Sequence, residues 1–242
     1  NMLSASAVSI TLGEQTDAFN VQSAITAESF SFNGGTGGSF SASVSSLLLG
    51  ASGFSILMPE DGNGLNLVGL SASGGGTITG TSQADTIRVT AIATASTITT
   101  YDIDLRDADG KGDTVTFESK SAGATLVVIR GFDGSAAASA NGDTLEVFGT
   151  ATVSGNEYVT AVGAATAASL LSTALGESIT ASQLTSASGA NVTGSSASFT
   201  YNNDFYYFGY NLDGDSTFEA GDTIFRFVGA AGGMDGGDID HS

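Results

Sequence analysis

Six oxygen-bearing residues fall at fixed spacing in one short stretch. Asn211, Asp213, Asp215, Thr217, Glu219 and Asp222 occupy positions 1, 3, 5, 7, 9 and 12 of a twelve-residue loop. The chemistry such a spacing could do is hard-cation binding. Calcium takes about six to eight oxygens at ~2.3–2.6 Å, and a curled loop turns every second side chain inward while position 7 offers its backbone carbonyl. Four carboxylates within ten residues also repel one another unless something neutralises them. The plainer alternative is an acidic, solvated turn that holds no ion.

Two further acidic, Gly-rich turns are weaker candidates for the same chemistry: Asp107, Asp109 and Asp113 in one, and Asp235, Asp238 and Asp240 in the other. The acidic turn at residues 60–64 reads instead as ordinary Asx-Gly hairpin chemistry. Other chemistries have little to stand on. The single histidine is His241, which leaves no Ser-His-Asp triad and no histidine metal site. Carboxylate pairs could serve a glycosidase. Most acids, however, sit in Gly-flanked turns, so the expectation is a protein that is not an enzyme. Gly74, Gly75 and Gly76 are not followed by Gly-Lys-Ser/Thr and a helix, so no phosphate loop is implied.

The elements that must position these turns read as strands. Residues 205–210 and 223–228, which flank the first loop, are aromatic-rich and read as strands, so the loop is expected to connect a β-hairpin. Val8, Ile10 and Leu12 alternate with polar residues, as do Phe30 and Phe32. Another strand starts at Phe40, and residues 54–58 form a short apolar run closed by Pro59. A repeat of small-Asp-Thr-apolar places Asp85, Asp113 and Asp143 at intervals of 28 and 30 residues. A fourth copy, at Asp222, comes 79 residues later, after an insertion. In such a module the small residue makes the corner, and Asp holds either the turn or a cation. The period suggests stacked β units.

Inside the insertion, residues 164–175 are rich in Ala and Leu and end before Gly176, which predicts a helix with its stop. Residues 177–184 form another short helix or turn, and both would cap one end of the β structure. Phe199, Tyr201, Phe205, Tyr206, Tyr207, Phe208 and Tyr210 concentrate the aromatic rings. They are either buried on both faces of a packed sheet or exposed to sugars or another subunit.

The 242 residues carry 25 acidic against 6 basic side chains, a formal net charge of −19. With no basic cluster, neither nucleic acid nor an anionic membrane surface finds a partner here. Cysteine is absent, which removes disulfides and thiol chemistry. Glycine, at 34 residues, is about twice as frequent as usual, and there is one proline. No apolar run is long enough for a transmembrane helix. The chain opens Asn1-Met2, which suggests a processed fragment or an added residue. The fold expected is all-β, a sandwich or β-solenoid-like stack of strands joined by Gly/Asp-rich turns, with a short helical insertion near 164–187. An N-terminal β region over 1–73 and a second over 77–242 meet near residues 71–76, or form one continuous domain.

The loop at 211–222 resembles the calcium loop of EF-hands, and more closely the dockerin variant that ends in Asp. Residues 80–87, with Gly80, Asp85 and Ile87, look like the entry to a repeat-in-toxin (RTX) unit. The run at 232–240 is similar to its Gly- and Asp-rich nonapeptide. With high Gly, Ser, Thr and Ala and few Lys or Arg, the chain resembles calcium-binding proteins secreted through type I systems, including bacterial surface-layer proteins. That resemblance implies Ca²⁺ as cofactor, an extracellular or cell-surface location, and folding driven by external calcium at ~10⁻⁴–10⁻³ M affinity. It also implies self-assembly into a surface layer, sheath or filament, with a cell-surface glycan as a further candidate partner. Two alternatives remain: a folding, secretion or adhesin segment of a larger protein, and a carbohydrate-binding or carbohydrate-acting protein.

Overall fold

The computed structural model describes residues 3–13, 17–21, 25–35, 40–44, 47–50, 52–58, 64–72, 74–91, 98–106, 111–119, 123–134, 142–148, 162–186, 198–210, 217–219, 221–230, 234 and 238–241. Among the described residues the fold is mainly β, with one short α-helix. Numbered in chain order, alternate strands belong to two parallel ladders. The first ladder comprises β1 (Leu3–Thr11), β3 (Ile25–Asn33), β6 (Phe54–Leu57), β8 (Gly76–Thr79), β10 (Thr99–Asp104), β12 (Thr125–Arg130) and β17 (Thr223–Phe227). The second comprises β2 (Asp17–Val21), β4 (Phe40–Val44), β7 (Gly64–Ala72), β9 (Thr86–Ala91), β11 (Thr114–Ser119), β13 (Thr144–Phe148) and β18 (Ile239–His241). A short β5 (Leu47–Leu49) pairs with both β3 and β7 and joins the ladders at that level.

Parallel neighbours need a long crossover. Here the crossover between two strands of one ladder contains a strand of the other, so each circuit of the chain adds one strand to both. A circuit takes from 21 residues (Leu70 opposite Ala91) to 30 (Thr114 opposite Thr144), except the last, which carries the insertion and takes 94 (Leu145 opposite Ile239) to 98 (Thr125 opposite Thr223). The repeat of Asp85, Asp113 and Asp143 is therefore the length of a circuit. Both ladders run on through residues 71–76, since β6 pairs with β8 and β7 with β9.

In-register pairing stacks like on like. One inward column of the first ladder runs Ile10, Phe32, Ile56, Ile78, Ile103, Ile129 and Phe227. Its counterpart in the second runs Leu65, Ile87, Val115, Leu145 and Ile239. All but Ile10 are buried, and together they form one continuous apolar core. The alternation read at Val8, Ile10 and Leu12 faces this core: Val8 is buried in it and the other two pack half-buried against it. Phe54, Ile56 and Met58 are buried as their short apolar run suggested.

The predicted helix spans Ala164–Leu175 and buries Ala167, Ala168, Leu170 and Leu171. Gly176 stops it in the left-handed conformation at φ 67°, which costs glycine nothing, and its N–H caps the Ser172 carbonyl. Residues 177–184 contain a single 3₁₀ turn, Ala181–Gln183. Then β14 (Thr185–Ser186), β15 (Ser198–Tyr201) and β16 (Asp204–Tyr210) form an antiparallel meander that pairs onto β17. Asn202 and Asn203 both have positive φ, 50° and 67°. That is the two-residue turn whose twist matches a hairpin, and Asn tolerates it. No described helix is long and apolar enough to cross a membrane.

Candidate metal loop and the aspartate turns

The loop at 211–222 connects β16 to β17, which pair antiparallel from Phe205 opposite Phe227 to Tyr210 opposite Thr223. The strand–loop–strand reading of its flanks therefore agrees with the structure. A register shift between Phe208 and Tyr210 lets Gly209 lie against the Phe225 ring, where a Cβ would stand 2.5 Å from the Cε2 carbon. Phe218 is buried and pins the second half of the loop to the core, while Thr217 and Glu219 are exposed. Asp222 is 2% exposed, and its Oδ2 accepts the Glu219 N–H at 2.9 Å. In return the Asp222 N–H donates to the Glu219 carbonyl at 3.1 Å. Positions 9 and 12 are thus locked together. Asn211, Asp213 and Asp215 lie outside the described residues, as do Asp107, Asp109 and Asp235, and nothing is described of the Asp240 side chain. The donor set of the loop is all oxygen, which is the chemistry of a hard cation. Among the described residues no three acidic or histidine groups converge on one point.

The repeated aspartates have a clear occupation. The Asp85 N–H donates to Asp113 Oδ1 at 2.7 Å, and the Asp113 N–H donates to Asp143 Oδ1 at 2.8 Å. The remaining oxygens turn back into their own corners. Asp85 accepts the Thr81 N–H at 2.7 Å, and Asp143 accepts the Asp133 N–H at 2.7 Å. All three are buried to 2% exposure. A buried carboxylate is tolerable when it is hydrogen-bonded in this way, because the amides replace the water it has lost. Of the two roles open to these aspartates, holding the turn is the one drawn by the described contacts. Asp238, also buried, offers its carbonyl to Leu145 one circuit further on.

The fourth copy of the motif lies elsewhere. Asp222 precedes β17 of the first ladder and gives its carbonyl to Thr125. The repeat in letters is shared, but its fourth member opens a strand on the other ladder.

Of the aromatic rings between 199 and 210, Phe199, Phe205, Tyr206, Tyr207 and Phe208 are buried, which is the two-sided packing alternative. Tyr201 is half-buried, with its hydroxyl 3.3 Å from Glu177 Oε2. Sequence reading missed Asp204. Its carboxylate takes Arg226 Nε at 2.7 Å, Arg226 Nη2 at 2.6 Å and the Gly229 N–H at 2.8 Å. An acid straight after an Asn-Asn turn, with a lone arginine in the facing strand, is the only signal that could have found it.

Comparison with protein-family models, with curated proteins and with solved structures returned no match.

Proposed function

We propose that this chain is a secreted, calcium-binding structural protein whose strands stack as a β-solenoid and which self-assembles into a surface layer, sheath or extracellular filament. The observation that supports it is the loop at 211–222, a spaced set of oxygen donors hung between two paired strands at one end of the ladders. Thr217 and Glu219 reach solvent there while Phe218 and Asp222 anchor the loop. Calcium at this loop would neutralise carboxylates that otherwise push apart, and so couple the hairpin's order to external calcium. Asp107, Asp109, Asp235, Asp238 and Asp240 are secondary candidates, while Asp113 already holds the Asp85 N–H. The role is structural, with no catalytic step. The alternative is a folding, secretion or adhesin segment of a larger type I-secreted protein, and the mass of the native product separates the two.

The test is calorimetric titration of metal-stripped protein with Ca²⁺, together with circular dichroism. Heat of binding and a gain of β signal are expected, and a chelator should dissolve the assemblies. No heat and an unchanged spectrum would remove the basis of the proposal.

A further inference from the structure

The outward face of the first ladder changes character along its length. Ser9, Ser31, Ser55 and Thr77 stand opposite one another on four adjacent strands, and all four are exposed. The next residue in that column is Asp102, opposite Thr77. Beside the column, two positions along each strand, runs the uncharged row Thr11, Asn33, Leu57 and Thr79. Residues 1–13, 29–59 and 62–84 contain no charged side chain. On these four strands the one charged side chain is Glu28, exposed near the start of β3, so the face is uncharged from there on, along Ser9, Ser31, Ser55 and Thr77, in a chain of net charge −19.

From this face we infer a docking surface for a second copy of the same chain, placed face to face. The inference rests on the self-assembly reading above and names the surface that would carry a lateral contact. Two arguments choose the occupant. Copies at −19 repel, and the Ser9–Thr77 column is an uncharged stretch on which they can approach, bounded by Glu28 on β3 and Asp102 on β10. A serine or threonine hydroxyl both donates and accepts, so a column repeating at the ~4.8 Å strand spacing complements itself in either direction. Thr77 Oγ1 already lies 3.3 Å from Ser55 Oγ within the column. A two-fold axis would bring the same patch against itself, as an isologous contact requires. The patch spans only four strands, so each contact is weak and an array of them supplies the strength.

The experiment compares full-length wild type with Ser31→Glu, Thr77→Glu and their double variant in saturating Ca²⁺. Sedimentation velocity over a concentration series gives the association constant, and negative-stain microscopy shows the lattice. Ser169→Glu, which adds the same charge on an exposed position of the helix, is the control. The double variant should weaken self-association at least about tenfold, with the control unchanged. Should the Glu variants misfold, Ser31→Ala with Thr77→Val removes the same hydroxyls without adding charge, and it too should weaken association. Calcium-dependent assembly that is indifferent to these variants overturns the inference and leaves the self-assembly reading standing. No association at any calcium concentration overturns both. Unchanged association combined with lost retention on a neutral polysaccharide gel assigns the face to glycan instead, which also overturns the inference.

Discussion

The backbone N–H of Asp85 donates to the carboxylate of Asp113, 28 residues away, at 2.7 Å, with both residues buried to 2% exposure. The Asp85 and Asp113 corners are thereby each tied to the next circuit through a side chain as well as through the strand ladder. Charge-assisted bonds of this kind run about twice as strong as neutral ones.

Replacing the middle aspartate tests that tie. Asp113→Ala strands the buried Asp85 N–H and removes a charged acceptor, so it should destabilise by about 2–4 kcal/mol. Asp113→Asn keeps one acceptor oxygen and should fall between wild type and Ala. Urea unfolding measures both. An Asp113→Ala protein with the wild-type midpoint would show that the carboxylate bears no weight.

Buried threonines give the opposite expectation. Thr99, Thr125 and Thr223 stack in register at 1%, 0% and 0% exposure, and among the described residues their Oγ1 atoms have no hydrogen-bond partner. Thr125→Val keeps the shape and deletes a desolvated hydroxyl, so stability should stay equal or rise by about 1 kcal/mol. Thr116→Val should instead lose about 1 kcal/mol, because Thr116 Oγ1 donates to Glu146 Oε2 at 2.8 Å. Equal losses from the two would contradict the contrast.

Gly76 stands in the first ladder between Phe54 and Tyr101, opposite each. Its missing side chain lets those two rings meet across a strand, with centroids 6.1 Å apart. An added Cβ would overlap the Phe54 ring. Gly76→Ala should cost about 1–3 kcal/mol as overpacking, and the double variant with Phe54→Leu should recover part of it. Unchanged thermal stability in Gly76→Ala would refute the packing argument.

Burial pushes the Tyr206 phenol from 10.0 up to about 12, while the nearby Arg226 pulls the other way. Burial raises Tyr101 as well. A phenol that holds its proton more tightly folded than unfolded contributes stability that is whole below pH about 10. That contribution is lost as pH rises through the folded value near 12. Of the six tyrosines, these two should ionise late. Absorbance titration alongside circular dichroism would show it, and six phenolates forming near pH 10 with the fold intact would contradict it.

Read alone, the sequence determined what local chemistry determines. The alternation at Val8, Ile10, Phe30 and Phe32 fixed strand faces, because side chains on a strand have a period of two. The Ala-rich run before Gly176 fixed a helix and its end, since only a left-handed cap was needed. The 28- and 30-residue spacing of Asp85, Asp113 and Asp143 fixed the circuit length. Parallel register, by contrast, depends on partners 21 to 30 residues away or more, which no local window holds. Tertiary structure alone decided that Asp222, with the same local letters, opens a strand of the first ladder rather than the second. It alone set Asp204 against Arg226, and it gave the repeated carboxylates backbone amides as partners. A motif states which groups an aspartate could satisfy, and only the folded chain brings one of them within 3 Å.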